Sequence, residues 1–185
     1  MGLITKFWRF KWRPDAYYPD LSHLPLQDYH ARGYRLILLD IDNTLTVHGG
    51  REKSEFASRQ LERIRQSGLT PVILSNARSE RAATMGRSLG VPAIGMAMKP
   101  GIRGIERAIQ EHGVTKDEIL LCGDQIFTDV WAGRKAGVAS ILVRPHRTKG
   151  EPPQIRVKRI MENWLFKRFQ CVPTYDDILD GEGKK

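Results

Sequence analysis

Leu36-Ile37-Leu38-Leu39-Asp40-Ile41-Asp42-Asn43-Thr44-Leu45 decides the fold. Four consecutive apolar residues without alternation fit a strand buried on both faces. An acid-rich turn follows at its carboxyl end. The pattern continues on either side. Upstream, a short helix starts near Pro25 and stops at Gly33. Downstream, Ser54 can cap a helix with Phe56, Leu61 and Ile64 on its apolar face, closed at Gly68. Pro71 to Leu74 reads as a strand, Arg78 to Leu89 as a helix stopped by Gly90, and Pro92 to Ile94 as a short strand. Then come a helix over Ile102 to His112, a strand over Ile119 to Cys122, a helix over Thr128 to Ala136 and a last strand over Ala139 to Val143. Strands alternating with helices at these spacings call for parallel pairing through right-handed crossovers. The fold class is a doubly wound parallel α/β sheet.

In open α/β sheets, sites lie beyond the carboxyl ends of the strands. Distinctive polar residues stand at those ends here. Asp40 directly follows the first strand, where a carboxylate can attack phosphorus and form an acyl phosphate. Asp42 can protonate the leaving oxygen and then activate water, and Thr44 can fix the turn by local hydrogen bonding. A lone DxDxT is equally well an Asx-type turn. Ser75 and Asn76 end the next strand, where a hydroxyl and an amide can hold phosphoryl oxygens or merely cap a helix. Lys99, before Pro100, can neutralise a transferring group or stay a solvated loop residue. Asp124 follows the strand Ile119 to Cys122. With Asp40 and the main-chain carbonyl of Asp42 it can hold a hard divalent cation, with Asp129 orienting that shell or capping the next helix.

The ordered set DxDxT, Ser-Asn, Lys-Pro and GDxxxxD resembles the four-motif signature of the haloacid-dehalogenase-like (HAD) superfamily, over roughly residues 34–145. The resemblance implies Asp40 as nucleophile, Asp42 as acid/base, Ser75 and Lys99 as phosphate ligands, and Asp40 with Asp124 as Mg²⁺ ligands. An acid at position 42 is what phosphatases of that superfamily carry. Only 26 residues span Thr46 to Pro71 and 22 span Ala77 to Met98, whereas an independent domain needs about 50. No cap domain fits, so the active site of a monomer should be open to a large substrate, unless an oligomer supplies the lid. The motifs, together with Arg13-Pro14-Asp15-Ala16-Tyr17, resemble the YqeG group of subclass IIIA, which implies a phosphatidylglycerophosphate phosphatase. The chain departs from that group at Ala77 and at Gly133-Arg134-Lys135.

The 185 residues carry a net charge of +9, which suggests an anionic partner. No apolar run reaches transmembrane length. Cys122 and Cys171 form no disulfide framework, which fits a reducing compartment. Residues 1–20 read as a basic aromatic segment in which Trp8 and Trp12 suit a lipid headgroup zone. Residues 21–148 read as the HAD-like domain, 155–169 as a basic amphipathic helix and 170–185 as a flexible tail. That helix can meet a membrane or pack on the domain. The expectation is a peripheral enzyme of the cytoplasm or an organelle matrix, acting on an anionic phospholipid, with no stable nucleic-acid partner. The alternatives are a soluble sugar-phosphate or nucleic-acid-end phosphatase, and a basic RNA- or partner-binding protein on the same fold. Sequence leaves the oligomeric state open.

Overall fold

The computed structural model describes residues 12–46, 54–145 and 153–169, with side chains to 165. Among these residues, six parallel strands stand in the order β1-β6-β5-β2-β3-β4. They are β1 (Ala16–Tyr18), β2 (Leu36–Leu39), β3 (Thr70–Leu74), β4 (Ala93–Ile94), β5 (Ile119–Gly123) and β6 (Ala139–Val143). The helices are α1 (Leu26–Ala31), α2 (Glu55–Gln66), α3 (Ser79–Leu89), α4 (Arg103–His112), α5 (Trp131–Ala136) and α6 (Pro153–Phe169). Each strand sends alternate residues to opposite faces. Ile37, Leu39, Ile73 and Cys122 pack in one cluster with Leu61, Ile64 and Met85. Leu36, Leu38, Val72 and Leu121 pack in another with Ile105, Ala108 and Ala132. Strand β2 is therefore covered on both sides, as its unbroken apolar run predicts.

From β2 the chain winds one way to β3 and β4, and from β5 it winds the other way to β6. The crevice between the carboxyl ends of β2 and β5 is the switch point. Strand β2 pairs with β5 from Leu36 with Ile119 to Leu39 with Cys122, so Asp40 and Asp124 leave the sheet side by side. Among the described residues, the first connection that could hold a cap carries α2, and the second carries α3 and the two-residue strand β4.

Three expectations change. Ala16–Tyr18 was read as part of a segment outside the domain, but it forms edge strand β1 beside β6. Asp15 anchors it: its carboxylate accepts from Ser140 N and Oγ at 2.8 and 3.0 Å and pairs with Arg134 at 2.8 Å. Arg134 also donates to the Arg13 carbonyl. Trp12 does not face a headgroup zone. It is buried with Ile126, Val130, Leu142 and Leu165, its ring edge-on to those of Phe127 and Trp131. Finally, the helix expected from Thr128 begins at Trp131. A wide π-type turn, Ile126–Val130, precedes it, and Asp129 within that turn points its carboxylate inward. Trp8, the segment 1–11 and the tail 170–185 lie outside the described residues.

Candidate active site

Asp40 leaves β2 with its amide bonded to the Cys122 carbonyl at 2.9 Å. Its carboxylate is almost wholly buried and accepts from Lys99 Nζ at 2.7 Å. The same ammonium donates to Asp129 Oδ1 at 2.7 Å. Burial pushes the Asp40 carboxyl up to about 6, with the Asp129 charge adding to the rise and Lys99 opposing it. For Lys99, burial works against the charged form, but Asp129 and Asp40 outweigh it and hold the ammonium protonated. Asp129 also accepts from Gln125 N at 3.1 Å and Thr128 Oγ1 at 3.3 Å.

Asp124 is buried at the end of β5. Arg159, from α6, donates to its Oδ2 and to its main-chain carbonyl at 2.6 Å. Burial drives the Asp124 carboxyl well above the ordinary carboxylate range, against the pull of Arg159. Its Oδ1 is buried and has no hydrogen-bond partner among the described residues. One oxygen each from Asp40, Asp124 and Asp129 lies within 4.8 Å of the others. Fully ionised, as a bound cation would keep them, these three carboxylates outnumber Lys99 and Arg159, the two cations bonded to them. Such an oxygen set, with one member unsatisfied, fits a hard divalent ion.

The remaining expected residues take more particular places. Asn76 grips the Lys99 main chain, accepting from its N at 2.7 Å and donating to its O at 2.9 Å. Its amide thus positions the lysine, where a direct phosphate contact was expected. Ser75 Oγ is buried and accepts from Ala77 N at 3.2 Å. Thr44 was expected to fix the turn, but its buried hydroxyl has no hydrogen-bond partner among the described residues. Backbone bonds hold that turn: Asn43 N to Thr46 O at 2.6 Å and Leu45 N to Ile41 O at 3.1 Å. Both oxygens of Asp42 accept from the Arg81 guanidinium of α3, at 2.7 and 2.8 Å. The Asp42 side chain is not among the clustered oxygens, so only its main chain suits the cation role expected of it.

Sequence reading missed Arg81, Arg159 and Glu162. Glu162 is buried on α6, accepts from Phe127 N at 3.2 Å and lies 3.6 Å from Arg159. Arg159 and Glu162 are three positions apart on a helix and share a face, and that spacing was the one signal available.

The chain is similar to known proteins over much of its length. A family model described as HAD-hydrolase-like matches residues 96–163, a segment that holds Lys99, Asp124, Asp129, Arg159 and Glu162. The chain is 29% identical over 132 residues to the probable phosphatase YqeG of Bacillus subtilis, covering 71% of this chain and 77% of that protein. It is 26% identical over 159 residues to the chloroplastic phosphatidylglycerophosphate phosphatase 1 of Chlamydomonas reinhardtii, covering 80% of this chain and 59% of that one. The chain thus spans less than two thirds of that algal relative. Among solved structures, a hypothetical protein of Xanthomonas campestris superposes with a TM-score of 0.51 at 22% identity, over 88% of this chain and 97% of its own. That likeness concerns the fold alone.

Proposed function

We propose that this chain, which belongs to the HAD-like hydrolase superfamily and is a phosphatase of its YqeG type, removes the terminal phosphate of phosphatidylglycerophosphate at a membrane surface. Asp40 is the nucleophile and Mg²⁺ the cofactor. The observation that carries the reading is the buried Asp40–Lys99–Asp129 chain beside Asp124.

The Asp40 carboxylate attacks phosphorus in line, and the bond to the glycerol oxygen breaks as an aspartyl phosphate forms. Asp42 gives that oxygen its proton and later takes one from the attacking water. Lys99 stays charged and offsets the phosphoryl oxygens. Asp40 and Asp124, with the Asp42 carbonyl, would hold the divalent ion, which supplies electrostatic stabilisation of the transferring group.

Features of the surface favour a lipid substrate. Helix α6 turns Arg159, Glu162 and Leu165 inward and leaves Val157, Ile160, Met161 and Trp164 exposed, with Arg156 and Lys158 exposed beside them. Met96 and Met98, just before Lys99 in the chain, are 60% and 68% exposed. Apolar side chains interleaved with cations suit an anionic interface. An enzyme of this kind would sit peripherally on the cytoplasmic or organelle-matrix side of its membrane.

The test is phosphate release from phosphatidylglycerophosphate in detergent micelles, against soluble sugar phosphates and nucleic-acid ends, with and without Mg²⁺. Preference for the lipid is expected, with turnover abolished by Asp40→Asn. Faster hydrolysis of the soluble esters would overturn the lipid reading. An active Asp40→Asn protein would overturn the nucleophile.

A further inference from the structure

The mechanism uses Asp42 but gives no role to Arg81, the arginine that pairs with it at the site's edge. Arg81 reaches 39 residues back in sequence to occupy both oxygens of Asp42. The pair is partly exposed, with side chains at 29% and 17%, so a ligand can reach it from solvent. A guanidinium fork that fits a carboxylate fits a phosphate diester equally well.

An open cleft of about 690 Å³ lies beside the pair, lined by Asn76, Arg78, Glu80, Arg81 and Thr84. Arg78 is exposed and forms no ion pair among the described residues. It stands three positions before Arg81, at the entrance to α3. Asn76 joins the cleft to the reaction centre, because it lines the one and clamps the Lys99 main chain in the other. A group bonded to phosphorus near Asp40 could therefore extend past Asp42 into two guanidinium groups.

We infer that Arg81, assisted by Arg78, forms a subsite for a second phosphate carried on the alcohol part of the substrate. Arg81 exchanges the Asp42 carboxylate for that phosphate, monoanion for monoanion, so little electrostatic energy is lost. The exchange clears the Asp42 oxygens to face the leaving oxygen only when the second phosphate is present. The class of substrate is a phosphate monoester whose alcohol bears a phosphodiester a few bonds away. The inference deepens the reading of phosphatidylglycerophosphate as substrate, whose glycerol carries such a diester, and in that sense rests on it.

The probe is glycerophosphoglycerol, a soluble diester without acyl chains, titrated calorimetrically into the full chain alongside inorganic phosphate. Arg81→Ala should weaken diester binding by about tenfold or more and leave inorganic phosphate, held at Lys99, within about twofold. Arg81→Lys should lose part of the affinity, since an ammonium cannot fork, and Arg78→Ala should lose severalfold. The lysine and Arg78 variants carry the test if Arg81→Ala does not fold. Diester affinity unchanged in all three variants, equal loss of diester and phosphate, or no diester binding by the wild type would each overturn the subsite. Arg81-dependent diester binding in a protein that spares phosphatidylglycerophosphate would sink the substrate reading and keep the subsite. Hydrolysis of that lipid with no dependence on Arg81 would do the reverse.

Discussion

Asp40 is held where its own charge is costly, and that cost has a measurable sign. Its folded carboxyl titrates at about 6 because of burial first and the Asp129 charge next, whereas an unfolded aspartate titrates near 3.9. Between about pH 4 and 6 the folded state binds more protons than the unfolded one, so stability falls as pH rises through that window. Urea melts of the metal-free protein should show this slope, and Asp40→Asn should flatten it. Persistence of the full slope in the variant would refute the assignment. The orphaned Asp124 oxygen gives a second readout. Saturating Mg²⁺, at about 100 times its dissociation constant, should stabilise by about 2.7 kcal/mol. The melting temperature should rise by several degrees, and Asp124→Asn should abolish the rise. A melting temperature indifferent to Mg²⁺ would argue that these carboxylates hold no such ion. Asp40, Lys99, Asp124 and Asp129 were legible in the chain because each sits at a strand end or helix entrance, where local pattern locates it. Arg81 and Arg159 were not. Their partners lie 39 and 35 residues away, and nothing local marks an arginine that folds back.

At the scale of elements, the junction after β5 carries the tightest constraint. A methyl group on Gly123 would run into the Asp129 carboxyl, which must lie against the strand end to reach Lys99. Gly123→Ala should displace Asp129 and lower turnover by about 100-fold, as small misplacements in active sites do, while circular dichroism stays native. Near wild-type turnover would show that Asp129 tolerates the shift. The same junction explains the misread helix start. Sequence placed a helix from Thr128, but the Asp129 carboxylate is drawn inward to Lys99 and Gln125 N, and the backbone widens into the turn Ile126–Val130. Strand β1 escaped notice for another reason: three half-buried residues are too few to show a period. The basic residues around Trp12 suggested a lipid-facing ring. What decides its place is the aromatic pair Phe127 and Trp131, which only the folded chain brings to it.

Across the whole molecule, α6 links two surfaces with opposite preferences. Its buried face closes on the reaction centre through Arg159 and Glu162, while Val157, Ile160, Met161 and Trp164 face out. The amphipathic pattern was readable, but which face turns inward depended on Asp124 and Phe127 N, whose need for partners appears only in three dimensions. The chain should co-sediment with vesicles containing phosphatidylglycerol and less with neutral ones, and the binding should fall with added salt. Ile160→Glu combined with Trp164→Glu should release it from vesicles while hydrolysis of p-nitrophenyl phosphate continues. Undiminished sedimentation of that double variant would place the contact elsewhere. The pairing of β1 with β6 has a consequence for biogenesis. Asp15 and its partner Ser140 are 125 positions apart. A nascent chain leaving the ribosome cannot finish its sheet until β6 has emerged, however early the middle strands associate. Ala16–Tyr18, made first, must wait as an unmatched ribbon for the strand made last.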